Sequence, residues 1–134
     1  MRIVTTMGLA VLLVLGASIS GYGQKMEHHP AGVKVEKTAA GDVFANDKGM
    51  TLYTFDNDTM AGKSACNGPC AVNWPPLAAM PEAKPKGAFT VVTRDDGSKQ
   101  WAYKGKPLYT WMKDSKPGDM TGEGFKNVWH VAKP

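Results

Sequence analysis

The sequence predicts an all-β domain made of two homologous antiparallel meanders with long glycine-rich loops. Three observations predict it. Residues 49–58 (GMTLYTFDND) return as residues 105–114 (GKPLYTWMKD), an offset of 56 that aligns Leu52 with Leu108, Tyr53 with Tyr109 and Asp58 with Asp114. Short β-branched and aromatic runs alternate with glycine-containing turns at matching places in both copies. No stretch beyond the amino-terminal segment places apolar residues at i, i+3, i+4 and i+7 over three turns, so little or no helix is expected.

Taken in order, residues 1–23 read as a secretory signal. Arg2 gives a positive start, and Met7 to Ala17 runs for eleven residues without a charge. At roughly 1.5 Å per residue such a run cannot cross a hydrocarbon core of about 30 Å. Gly21-Tyr22-Gly23 and Ser18-Ile19-Ser20 both offer small-x-small cleavage sites. Residues 24–32 then form a short leader containing Met26, His28 and His29. The β domain spans 33–134, with repeat 1 at about 33–80, a proline-bounded linker at 81–87 and repeat 2 at about 88–133.

In repeat 1, Val33–Thr38 alternates apolar and charged residues, Ala40-Gly41 turns, Val43–Ala45 pairs back, and Thr51–Phe55 closes the meander. In repeat 2 the corresponding strands are Phe89–Arg94, Gln100–Tyr103 and Leu108–Trp111, with Lys104-Gly105 as a tight turn. Each third strand leads into a long excursion that ends at a tryptophan, Trp74 in the first copy and Trp129 in the second. The second excursion returns as a strand over Asn127–Val131. Loops of this length in a compact domain are tied down or carry function.

Composition narrows the function classes. A net charge of +4 and 43% hydrophobic residues exclude a disordered chain. The lysines are dispersed, so a nucleic-acid partner is not expected. After signal cleavage no membrane span is expected. The sequence has no G-x-S-x-G, no phosphate loop and no H-E-x-x-H, and His130 is the one histidine outside the leader. The expectation is therefore a non-catalytic protein with no cofactor.

The motif side chains have a structural reading first. Tyr53 and Phe55, like Tyr109 and Trp111, lie two apart on a strand and share a face. They read as core packed across an internal pseudo-twofold, with a platform for a flat ligand as the alternative. Trp74 and Trp129 are read in the same way. Asp58 and Asp114 follow the strands at equal spacing and suit turn-fixing bonds from backbone N–H groups. Their alternative is a carboxylate pair for a cation or acid–base work. Cys66 and Cys70 read as a structural disulfide, with a redox-active pair as the weaker option. Met26, His28 and His29 are the soft-ligand candidates, and copper is the metal they would suit.

Tyr53-Thr-Phe55-Asp-Asn-Asp58 and Tyr109-Thr-Trp111-Met-Lys-Asp114 stand beside CNGPC, NWPPL, PGDMTGEG and NVWHV. With these segments the chain resembles a family of secreted bacterial repeat proteins, described as predicted lipoproteins with a Yx(FWY)xxD motif. The resemblance covers nearly all of residues 33–133 and implies an extracytoplasmic two-repeat β module, without implying an activity. The first cysteine is Cys66, so no lipid-attachment cysteine is available near the cleavage region. The expected role is a secreted or periplasmic module that binds a protein or cell-envelope partner. The alternatives are a periplasmic copper-binding protein and a redox accessory protein using Cys66 and Cys70.

Overall fold

The computed structural model describes residues 29–134. The expected signal segment and most of the leader, including Met26 and His28, lie outside the described residues. Seven strands form three small antiparallel sheets: β1 (Val33–Thr38) with β2 (Gly41–Asn46), β3 (Tyr53–Phe55) with β7 (Trp129–Val131), and β4 (Phe89–Thr93) with β5 (Lys99–Tyr103) and β6 (Lys106–Pro107). Among the described residues the helical content is one short helix, Pro69–Asn73, and a 3-10 turn, Phe125–Asn127. The two-repeat all-β architecture is therefore present.

The turns follow from residue type. Thr38 pairs with Gly41 across β1 and β2, and its hydroxyl accepts from the Ala40 N–H at 3.1 Å. The β5–β6 turn places Lys104 and Gly105 at φ values of 50° and 84°. Positive φ at both central residues matches the right-handed twist of the flanking strands, and glycine adopts it without a Cβ clash.

One expectation needs correction, and the pairing of the two copies, which the sequence leaves open, is defined. The third strand of repeat 2, expected over Leu108–Trp111, is regular only at Lys106–Pro107; beyond it Tyr109 makes isolated bridges to Tyr53 and Pro76. The last segment of each copy also pairs outside its own meander. β7 of repeat 2 pairs with β3 of repeat 1, while Pro76 of repeat 1 bridges Tyr109 of repeat 2.

This exchange is fixed by two closed backbone triangles. In one, Leu52 N–H donates to Phe44, Phe44 to Ala132 and Ala132 to Leu52, at 3.0, 2.9 and 2.8 Å. In the other, Leu108 donates to Trp101, Trp101 to Leu77 and Leu77 to Leu108, at 2.9, 2.9 and 2.8 Å. Each triangle takes two corners from one copy and the third from the other. Neither copy completes its buried backbone bonding alone.

Alternation then divides the core. Leu52 and Leu108 point to one cluster, with Phe44, Phe89 and Trp101. Tyr53 and Tyr109 point the opposite way, into a cluster with Trp74, Trp111 and Trp129. At the centre Tyr53 and Tyr109 exchange backbone bonds, 2.7 Å from Tyr53 N and 2.9 Å from Tyr109 N. The pseudo-twofold axis passes between these two residues.

Candidate functional site

The repeated tyrosines and aspartates meet reciprocally across that axis. The Tyr53 hydroxyl donates to Asp114 Oδ2 at 2.7 Å, and the Tyr109 hydroxyl donates to Asp58 Oδ2 at 2.6 Å. Each copy therefore supplies the acceptor for the other copy's tyrosine. The second carboxylate oxygens hold the loops. Asp58 Oδ1 accepts from the Ala65 N–H at 2.6 Å, and Asp114 Oδ1 accepts from the Thr121 N–H at 3.0 Å. The Thr121 hydroxyl adds a further bond to Asp114 Oδ1 at 2.6 Å. Burial and the neighbouring carboxylates push both phenols well above the usual tyrosine range.

The two ends differ in their second donors. Tyr53 accepts from the Gly122 N–H at 3.2 Å. Tyr109 meets the Ser64 hydroxyl at 2.7 Å, and Ser64 Oγ itself accepts from Arg94 Nη1 at 2.9 Å and from the Cys66 N–H at 3.2 Å. With those donors on its oxygen, Ser64 donates to Tyr109, and Tyr109 donates to Asp58. Arg94 is 5% exposed and also bonds Gln100 Oε1, the Cys66 carbonyl and Asn67 Oδ1. Two hydroxyls thus separate this buried guanidinium from the Asp58 carboxylate. Burial raises the Asp58 carboxyl above its ordinary value, against the lowering pull of the Tyr109 and Ala65 bonds and of Arg94.

Beneath the tyrosines four rings stack in the order Phe55, Trp129, Trp74, Trp111. Their centroids are 4.2, 3.8 and 3.9 Å apart, and the central tryptophans are parallel to within 2°. Tyr53 meets Trp74 edge-on at 5.3 Å, and Tyr109 meets Trp129 edge-on at 5.1 Å. Gly122 admits this stack: a Cβ there would sit 2.7 Å from Trp74 Cη2 and 3.1 Å from Trp111 Cδ1. Gly122→Ala is expected to lower stability by about 1–3 kcal/mol through overpacking. A urea titration checks this, and an unchanged midpoint would show that the stack yields freely.

A profile of the family described as a secreted repeat of unknown function matches residues 34–78 and 90–133. The chain belongs to this family. No curated protein and no solved structure matches it. The two matched segments fall on the two copies: the first carries Tyr53, Asp58 and Trp74, and the second carries Tyr109, Asp114, Trp111 and Trp129. No helix among the described residues is long and apolar enough to cross a membrane.

The remaining candidates are placed as follows. Cys66 and Cys70 form a disulfide, with Cys66 fully buried in the tryptophan cluster. Asp58 borders a surface cavity of about 360 Å³ lined also by Asn57, Met60, Lys63, Ser64 and Asp95. Asp58 and Asp114 each bond the tyrosine of the other copy. His29 lies at a groove between the copies beside Phe44, Phe89 and Tyr103, and its Nδ1 has no partner among the described residues. The same residues contain no group of three or more His, Cys, Asp or Glu arranged to hold a metal ion.

Arg94, Ser64 and Gln100 escape a motif-based reading. One signal marks Arg94: outside the amino-terminal segment every other cationic Lys/Arg position is lysine. Arginine's planar fork suits a buried position with several fixed acceptors.

His130 lies between two carboxylates, Nε2 at 2.9 Å from Asp56 and Nδ1 at 3.3 Å from Glu123. The Asp56 bond, then Glu123, hold its pKa above 6.5 against a small opposing effect of burial. The imidazolium therefore stabilises the fold fully below the unfolded value and loses that effect as pH rises through the raised folded value. The side chain is 42% exposed, so screening keeps the effect small. Denaturant titrations at acidic and alkaline pH should show His130→Gln flattening this part of the profile. An identical profile in the variant would remove the role.

Proposed function

We propose that the protein is a non-catalytic, extracytoplasmic binding module, exported through residues 1–23 to the periplasm or medium. In this reading the motif residues lock the two copies together and the loops meet a protein or cell-envelope partner. The observation that carries it is the placement of exposed apolar side chains. Met60, Val72, Met80, Met112 and Phe125 all stand on segments between strands, with Val35 the strand-borne exception. Exposed apolar groups grouped on loops of a rigid scaffold are a usual form of recognition surface.

Photo-crosslinking amino acids at Met60, Val72 and Met112 test the reading in the exporting cell, with Lys34 and Lys106 as controls. One discrete envelope adduct from the loop positions, absent from the controls, is expected. Equal diffuse labelling from all five positions would overturn the reading.

One observation favours a second reading, copper binding by Met26, His28 and His29. The His29 Nδ1 is buried without a partner among the described residues, and neutral imidazole is a good copper ligand. Titration with Cu(I) and Cu(II), with and without residues 24–32, tests it. Stoichiometric binding lost on truncation supports the leader as ligand, and binding unaffected by truncation rejects it.

A further inference from the structure

The core holds more redox-capable chemistry than packing requires. Tyr53, Trp74, Trp129 and Tyr109 form a continuous path of oxidisable rings in edge or face contact, at 5.3, 3.8 and 5.1 Å. Each terminal phenol already donates its proton to a carboxylate, at 2.7 Å to Asp114 and 2.6 Å to Asp58. Phenol oxidation inside a protein needs a proton acceptor at hydrogen-bond distance, because a buried tyrosine radical cation has no solvent to release its proton to. Stacked indoles supply the electronic contact. Trp111 and Phe55 extend the stack at its two ends, and Phe55 is only half-buried.

We propose that this core is a one-electron relay that captures strong radical oxidants and stores the oxidising equivalent on Tyr53. The oxidant class is a high-potential one-electron acceptor, such as a peroxyl or carbonate radical. It takes one electron through the tryptophan stack and is itself reduced by one electron. Tyr53 refills the resulting tryptophan hole, and its phenolic proton moves to Asp114 Oδ2. The products are a neutral tyrosyl radical, a protonated Asp114 and the reduced oxidant. No bond between heavy atoms forms or breaks.

The asymmetry between the two ends selects Tyr53. Oxidising Tyr109 would pass its proton to Asp58 and neutralise the carboxylate that balances buried Arg94. A stranded buried cation is costly. Among the hydrogen-bond partners of Tyr53 and Asp114 there is no cation: they are Gly122 N–H, Thr121 N–H and the Thr121 hydroxyl. Arg94 is thus a positioning residue that makes the path directional. The other tyrosine among the described residues, Tyr103, packs against Phe44 and Phe89 in the opposite cluster, away from this stack.

The test uses the full chain and ruthenium(III) tris-bipyridine, generated by light and a cobalt(III) quencher, followed by freeze-trapping and electron paramagnetic resonance. A tyrosyl signal is expected in the parent protein, retained in Tyr109→Phe and lost in Tyr53→Phe. Both variants remove only a hydroxyl, and circular dichroism checks that each is folded. A signal that survives Tyr53→Phe overturns the proposal. So does its loss in both variants, or a parent protein oxidised only at exposed methionines such as Met60 and Met80.

Discussion

Trp74→Ala should be the most destabilising single substitution, lowering unfolding free energy by about 3–5 kcal/mol. Trp74 is 3% exposed and touches both copies at once. It stacks on Trp111 at 3.9 Å and on Trp129 at 3.8 Å, and it receives the edge of Tyr53 at 5.3 Å. Removing the indole opens a cavity between rings that cannot collapse together, because Tyr53 and Tyr109 are pinned by backbone bonds to each other. In a domain of this size the melting temperature should fall by roughly 15–30 °C. Phe55→Ala, at the half-buried end of the stack, should cost clearly less. Calorimetry on both variants checks the order, and equal costs would mean that the stack is not a connected unit.

The parts legible in the sequence are those set by local chemistry. The offset of 56 exposes the copies, and the turns at Gly41 and Lys104-Gly105 follow from backbone preference. The exchange of last strands is not legible. A Pro76 that bridges Tyr109 and a Val131 that pairs with Tyr53 have the same neighbours in sequence whichever copy they join. Because the copies are alike, periodicity cannot say whether a strand completes its own meander or its neighbour's. The Tyr–Asp reciprocity is hidden for the same reason, since the five-residue spacing from Tyr53 to Asp58 says nothing of which aspartate each hydroxyl meets.

Other differences have separate causes. The Pro69–Asn73 helix is too short to show a period, and its proline start is also a turn signal. The Leu108–Trp111 run reads as a strand because both of its faces are buried, which is the composition a paired strand would have. Its neighbours are short segments from several places, so it makes bridges at Tyr109 without a ladder. Arg94 is invisible to pattern because its partners are carbonyls and hydroxyls gathered from the Cys66 loop and β5.

Asp114→Ala and Asp58→Ala should separate, although the aspartates occupy equivalent positions in the repeat. Asp114 is 7% exposed and accepts from the Tyr53 hydroxyl, the Thr121 N–H and the Thr121 hydroxyl. Its removal strands the buried Tyr53 hydroxyl, leaving Gly122 N–H as a donor and no acceptor for its proton. A loss of about 3–4 kcal/mol follows from one stranded buried donor and the lost charge-assisted bonds. Asp58 is half-buried and borders the open surface cavity beside Ser64, so its removal admits solvent that can accept the Tyr109 proton and screen Arg94. Asp58→Ala should therefore cost about 1–2 kcal/mol. Tyr53→Phe in the Asp114→Ala background removes the stranded hydroxyl and should recover part of the loss, giving a coupling that a double-mutant cycle reads directly. If Asp58→Ala proves as damaging as Asp114→Ala, solvent does not replace the lost carboxylate, and the asymmetry between the two ends is not energetic.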